Sequence, residues 1–252
     1  MREEDYTTIK AKVLKCSFCR LSETRKNAVP GEGDTNAHVM IIGQAPGREE
    51  DKYGKMFIGP SGKVLDNLFS DLDLHRQDFY MTNMLKCFLP HSRKPRSDEI
   101  DVCSSIYLSK EIELINPEII ISLGYHVTKF FLRDYDLKVP SRDNFSNLFG
   151  QLIVANNRKL LPLRHPATVV HQSAKYETLL SNYKKINIVE RDCKWFTVCP
   201  IKRFYEEGKI PKYWIDRYCK GDWESCRRFQ LEEANIYHPD NMLPDGSIVY
   251  NL

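Results

Sequence analysis

The chain has 252 residues, 42% of them apolar and 28% charged, with a formal net charge of +3. That is enough apolar material for one ordinary domain and a small appendage. It excludes a strongly basic nucleic-acid tail, so any phosphate contact has to come from a local patch. No stretch approaches the ~20 apolar residues that span a bilayer, and the opening MREEDYTTIK lacks the apolar segment of a signal peptide. These features predict a cytoplasmic protein with no membrane partner, in which the eight cysteines serve as ligands rather than as disulfides.

In chain order, His38–Gly43 (HVMIIG) reads as a buried strand ending in glycine. Ser61–Leu72 follows Gly59-Pro60 and carries Val64, Leu65, Leu68, Phe69 and Leu72 at helical spacing. Phe79–Thr82 is a short strand. Ser97 to Ile115 reads as a long helix with Ser97 as N-cap, Glu99 in its first turn and Asn116-Pro117 as its stop. Glu118–Gly124 is another buried strand, and a hairpin turn at Asn156-Asn157 leads into a fourth at Leu160–Leu163. Strands separated by helices predict a three-layer α/β/α fold around a central, mostly parallel four-stranded sheet. Ligands of such folds sit at the carboxyl ends of the strands. Gln44 to Gly47 follow the first strand, Asn83 the second and His165 the last.

After a helical stretch near Tyr176–Ile188 the composition changes, and the remainder holds four cysteines and all three tryptophans. The expected division is a domain over residues 1–189 and a small cysteine-rich C-terminal module over 190–252. There is no internal repeat.

Cys16 and Cys19 form a CxxC, with Cys87 and Cys103 far downstream. Four thiolates are what tetrahedral zinc or a [4Fe–4S] cluster takes, and the split CxxC pattern by itself favours zinc. The plain alternative makes Cys87 and Cys103 small buried apolar side chains. Cys193-x5-Cys199 and Cys219-x6-Cys226, beside Trp195, Trp214 and Trp223, form a second set of four. A segment this short has too little core to fold without a staple, and inside a cell the usual staple is a metal. Zinc and a second iron–sulfur cluster both stay open there, against a tail with buried, unliganded thiols. The module is expected to touch DNA or repair and replication proteins.

The run CSFCRLSETRKNAVPGEGDTNAHVMIIGQAPGREEDKYGKMFIGPSGKVLDNLF resembles the opening of the thermostable (family 4) uracil-DNA glycosylases. TNMLKCFLPHSRKPRSDEIDVC, INPEIIISLG and RHPATVVH are similar to that family's later motifs, in the same order, and the resemblance covers roughly residues 8 to 188. It implies that residues 1–189 form a uracil-DNA glycosylase domain: a monofunctional base-excision-repair hydrolase that cuts the N-glycosidic bond and leaves an abasic site. It also implies that Cys16, Cys19, Cys87 and Cys103 hold a structural [4Fe–4S] cluster, against the zinc that the pattern favours.

Uracil leaves through an oxocarbenium-like transition state with negative charge developing on the base, so the site needs donors, a water and a pocket for a flipped base. His165, stiffened by Pro166, suits donation to uracil O2. The Asn83 amide can pair with O4 and N3 together, where cytosine presents the reverse pattern. By family position Phe57 stacks on the flipped base, and Gly43 with Gln44-Ala45-Pro46-Gly47 forms the loop that places the water. Glu50 stands where the family keeps an acidic residue, close to where thymine's methyl would enter. Each of these taken alone has a plain reading, as core, cap or turn; their placement after successive strands favours function.

The sequence departs from the pattern at three points. The family's GEAPG or GEGPG is GQAPG here, so Gln44 replaces a glutamate. The GQDPYH glycosylases carry glutamine at this position, but their next aspartate corresponds to Ala45. HPATVVH ends in His171 where the family often has arginine, which leaves a weaker, pH-dependent phosphate contact. His91 lies where a related branch traps DNA covalently, but HSRKPRS lacks that branch's insertion, so trapping is not expected.

For the DNA backbone the candidates are Ser61 and Lys63 at a helix start, Arg93 and Lys94 in a basic loop, and Thr168 to Gln172 near the groove. The expected state is a monomer associated with the nucleoid. The rival readings are a same-fold glycosylase for another deaminated base such as hypoxanthine, a non-catalytic uracil-DNA-binding iron–sulfur protein, and a cluster-bearing redox or sensor protein.

Overall fold

The computed structural model describes residues 2–155, 158–170, 172–189, 191–250 and 252. The expected hairpin turn at Asn156-Asn157 and the expected phosphate contact His171 lie outside the described residues.

Six strands form one sheet: β1 (Glu32–Gly33), β2 (Val39–Gly43), β3 (Phe79–Asn83), β4 (Ile119–Leu123), β5 (Ile153–Ala155) and β6 (Arg158–Leu163). Their order is β1-β3-β2-β4-β6-β5. The four inner strands are the four read from the sequence, and they run parallel. Antiparallel β1 and β5 extend the expected four-stranded sheet to six. With two and three residues, neither edge strand is long enough to show an alternating pattern.

Alternation on the inner strands builds two cores, because successive side chains point to opposite faces. Val39 and Ile41 of β2, Phe79 and Met81 of β3 and Ile119 and Ile121 of β4 enter one cluster, under the helices Pro60–Asp71 and Tyr176–Tyr183. Met40, Ile42, Tyr80 and Ile120 enter the other, with Leu108, Val127 and Phe131. The sheet is therefore covered on both faces, as a parallel sheet must be.

The long helix read over Ser97 to Ile115 exists as Ser97–Cys103, a π-helical turn at Ser104–Leu108 and Ser109–Ile115. Its N-cap is Arg96 rather than Ser97; Glu99 reaches back to accept the Arg96 backbone N–H at 2.9 Å. The helix at Pro60–Asp71 has Gly59 as its N-cap. Among the described residues no helix is long and apolar enough to cross a membrane.

Beyond Val189 the chain forms the helices Pro200–Glu206 and Arg227–Glu233 around a small apolar cluster of its own, with Ile201, Phe204, Ile210, Ile215, Cys219 and Leu243. It docks on the β5–β6 edge. Lys185 pairs with Asp222 at 2.9 Å, Lys159 reaches the carbonyl of Lys220, and Gly221 lies so close to Leu152 that a Cβ would stand 2.6 Å from its Cδ2.

Candidate active site

β2 and β3 pair in register so that Gly43 and Asn83, the last residues of each, stand side by side. The ladder continues into the loops, where Met84 donates to the Gly43 carbonyl at 2.8 Å and Leu85 to that of Gln44 at 3.0 Å. A Cβ on Gly43 would sit 2.4 Å from Asn83 Oδ1 and 3.1 Å from Phe57 Cζ, so this position has room only for glycine. Asn83 is 3% exposed, and its Nδ2 donates to Met56 Sδ at 3.4 Å.

Asn83 is also held from below. Lys86 Nζ donates to the Asn83 carbonyl at 2.9 Å, to Thr82 Oγ1 at 2.6 Å and to Glu111 Oε2 at 2.5 Å. Both members of this ion pair are 1% exposed, and Glu111 also accepts from Thr82, Tyr80 and the Gly31 backbone. A buried charge pair persists only when its remaining hydrogen-bonding capacity is filled in this way.

Phe57 adopts a left-handed backbone, φ +50°, which non-glycine residues seldom occupy. Two features fix it there. Arg76 Nη2 donates to the Phe57 carbonyl at 2.6 Å, and Gly62 lets that carbonyl approach to where a Cβ would be only 1.8 Å away. Glu50, 6% exposed, accepts the Gly59 backbone N–H at 2.8 Å, and its other oxygen lies against Gly47. The carboxylate thereby ties the loop after β2 to the start of the helix Pro60–Asp71.

His165 follows β6 by two residues and caps a short 3-10 turn over Pro166–Val169. Its Nδ1 accepts the Ala167 backbone N–H at 3.1 Å, so the proton of the neutral ring resides on Nε2. The ring is reached from the pocket, yet the protein packed around it pushes its pKa down to about 4, and it is neutral at pH 7.

These groups enclose one pocket of about 290 Å³ at the carboxyl edge of the sheet, lined by Ala45, Gly47, Glu50, Phe57, Asn83 and His165 and by the helix start at Gly59 to Ser61. Gln44 is half-buried and does not line it, and Gly43 lies behind Asn83 and Phe57. Lys63 is exposed on the helix that opens at the pocket. Arg93 is committed to Glu99 through two bonds of 2.8 and 2.5 Å, and its neighbour Lys94 is exposed. The sequence reading did not single out Arg48, Glu49, Lys86, Glu111, Arg76 or Gly62. The only signal for the last was the GPSGK run, and none marked a buried Lys–Glu pair 25 residues apart.

None of the eight cysteines is in a disulfide. Cys16, Cys19, Cys87 and Cys103 gather in one cluster with Val13, Leu85 and Tyr107. Arg25 Nη1 donates to Cys87 Sγ at 3.1 Å, its Nη2 to the Cys16 carbonyl at 2.6 Å, and the Lys86 backbone N–H to Cys103 Sγ at 3.4 Å. Burial pushes the Cys103 thiol up to about 12, and Cys87 and Cys16 beside it add to the rise. Four cysteines in one cluster, two of whose sulfurs (Cys87 and Cys103) accept N–H bonds, are the donor set an iron–sulfur cluster takes, and they fit one. Among the described residues no three His, Cys, Asp or Glu side chains converge closely enough to hold a single metal ion.

A model of the uracil DNA glycosylase superfamily matches residues 30–189. A type-4 uracil-DNA glycosylase of Saccharolobus solfataricus is 40% identical over 181 residues, 69% of this chain and 81% of that protein. Enzymes of the same description from Archaeoglobus fulgidus and Thermotoga maritima are 33% and 34% identical; they cover 73% and 66% of this chain and 92% and 83% of their own length.

Proposed function

We infer that this chain, which belongs to the type-4 uracil-DNA glycosylases and hydrolyses uracil out of DNA in repair, does so in the pocket at the carboxyl ends of β2, β3 and β6. The observation that carries this reading is the convergence of Asn83, Phe57 and His165 on one cavity from three separate parts of the chain.

The uracil nucleotide is turned out of the stack, at an unstacking cost of a few kcal/mol, and its base lies along Phe57. Asn83 pairs with O4 and N3; its position, fixed by Gly43 alongside and Lys86 beneath, supports discrimination, because cytosine would leave those polar groups unpaired. His165 donates its Nε2–H to O2 as charge builds on the departing base. A neutral donor matched to that oxygen stabilises the transition state without a proton changing hands, and one such donor contributes about 10²–10³ in rate. Backbone N–H groups of the Ala45–Gly47 loop and the helix start at Ser61 add positive potential on the same side. Glu50 keeps that loop in place and, with the loop, positions the attacking water. Gln44 lies away from the lining, which supports retention of chemistry without the family's glutamate.

DNA phosphates meet Ser61, Lys63 and Lys94, while Arg93 braces the loop through Glu99. Cys16, Cys19, Cys87 and Cys103 would hold a [4Fe–4S] cluster, whose part is to pin the N-terminal segment to the loop after β3 and to the helix Ser97–Cys103. Residues 190–252 form the separate cysteine-rich module.

The test is alkali cleavage of oligonucleotides carrying uracil, hypoxanthine or thymine after incubation with anaerobically purified protein. Cleavage confined to uracil is expected. Cleavage of hypoxanthine alone would overturn the substrate and keep the reaction, and no cleavage of any base would leave a uracil-DNA-binding protein.

A further inference from the structure

The segment beyond Val189 encloses a second cavity, of about 80 Å³, with Cys193, Cys199, Cys219 and Cys226 all in its wall. The sequence brings the four from two separated pairs. Cys199 and Cys226 immediately precede the helices Pro200–Glu206 and Arg227–Glu233, and Cys219 ends a π-helical turn at Ile215–Cys219. The Cys193 backbone N–H donates to the Cys219 carbonyl at 2.7 Å, which locks the two halves together.

Three observations bear on what the cavity holds. Its remaining wall is largely aromatic, including Trp195, Phe196, Trp223 and Phe229. Backbone N–H groups lie close to two of the sulfurs, that of Trp195 to Cys193 and those of Arg228 and Phe229 to Cys226. Finally, three buried side-chain nitrogens in the same wall have no hydrogen-bond partner: the donors Arg228 Nε and Trp223 Nε1, and His238 Nε2, which lies 3.0 Å from the Glu232 carboxylate. The Arg228 side chain is 4% exposed, and its Nη1 is used on the carbonyls of Pro239, Asp240 and Met242, so the guanidinium is anchored with its Nε left over. Buried donors without partners are rare, and an acceptor not yet counted is the usual explanation.

We propose that Cys193, Cys199, Cys219 and Cys226 bind a second [4Fe–4S] cluster, with Arg228 and Trp223 donating to its sulfur atoms. A zinc ion held by four thiolates at about 2.3 Å leaves no room between the sulfurs. Here the four cysteines share the wall of one cavity of about 80 Å³ and, among the described residues, no three His, Cys, Asp or Glu side chains converge on a single-ion site, which suits a ligand with volume and sulfur acceptors of its own. An anchored guanidinium also matches the net negative charge of a thiolate-ligated cluster, as Arg25 does beside Cys87 in the first set. The first set serves only as a comparison; the second cavity stands on its own residues.

The experiment measures iron, acid-labile sulfide and zinc in the anaerobically purified full chain, in Cys193→Ser with Cys226→Ser, and in Cys87→Ser with Cys103→Ser. Two clusters predict about eight irons and eight sulfides in the wild type and about four of each in either double variant. Uracil excision should be retained in the Cys193/Cys226 variant. About four irons in the wild type, unchanged by the Cys193/Cys226 substitutions, would overturn the proposal. So would about one zinc per chain that disappears with them. If instead the first set carries no cluster, the Cys193/Cys226 variant loses all iron and the Cys87/Cys103 variant loses none, a distinct pattern. Should one variant fail to fold, the wild type and the other variant still decide: a wild-type count of about four irons that is left unchanged by Cys193→Ser with Cys226→Ser, or abolished by Cys87→Ser with Cys103→Ser, overturns the proposal.

Discussion

The base pocket and the C-terminal cavity are built on opposite principles. In the pocket the protein supplies its own supports: Asn83 rests on Lys86 and Glu111, Phe57 is clamped by Arg76 and Gly62, and His165 is oriented by the Ala167 N–H. Its polar groups keep only the face turned to the cavity open. In the C-terminal cavity the wall carries four cysteines, and the buried Arg228 Nε and Trp223 Nε1 have no protein partner; there the proposed cluster would supply the support. A site on the strand ends of a two-sided sheet inherits rigidity from a large core, whereas about sixty residues with one small cluster need a staple. The difference teaches that preorganisation can come from the fold or from the ligand, and it makes the two regions separable by mutation.

The largest effect is expected where the pocket's support is buried most deeply. Lys86→Met should destabilise the chain by about 3–5 kcal/mol in denaturant unfolding, because it strands the Glu111 carboxylate in the interior. Adding Glu111→Leu should recover much of that loss while leaving excision impaired. Full recovery of both would mean that Asn83 does not depend on the pair.

His165→Ala should slow single-turnover excision about 10²–10³-fold. The pH profile sharpens this. The ring's pKa is lowered to about 4, so it stays neutral above that value and becomes charged only as pH falls through it. The wild-type rate should therefore show no inflection at the ordinary histidine value of 6.5. An inflection there that vanishes in His165→Gln would contradict the neutral donor.

Gly62→Ala places a Cβ against the Phe57 carbonyl, and a shift of that backbone is expected to cost about 1–3 kcal/mol in stability. Excision should fall at the same time, seen as a lower single-turnover rate; an unchanged rate would separate the Phe57 strain from function. The smallest effect belongs to Lys94→Ala, which should lower the salt slope of DNA binding by about 1 without sequence preference. Arg93→Ala should chiefly destabilise, since it leaves the buried Glu99 carboxylate without its bidentate partner.

The four inner strands and the two long helices were legible because continuous apolar runs and helical spacing are properties of short windows. Val39 to Gly43 is buried along its whole length, and the sequence HVMIIG says so directly. The clustering of Asn83, His165 and the loop after β2 was legible too, from the rule that ligands meet strand ends. The Lys86–Glu111 pair was not, because two charged residues 25 positions apart read as solvated surface until the fold brings them together. Phe57 at φ +50° was hidden for a similar reason: the carbonyl clamp comes from Arg76, on the far side of a helix. Arg93 read as a DNA contact because loop arginines usually face solvent, and only the position of Glu99 shows the charge already spoken for.

The most direct test compares single-turnover excision of uracil by the wild type, Asn83→Ala and the Cys193→Ser/Cys226→Ser variant under anaerobic conditions. The account predicts uracil release by the wild type, its loss by about two orders of magnitude or more in Asn83→Ala, and a wild-type rate in the cysteine variant. A full rate in Asn83→Ala would contradict the assignment of the strand-end pocket as the site of chemistry.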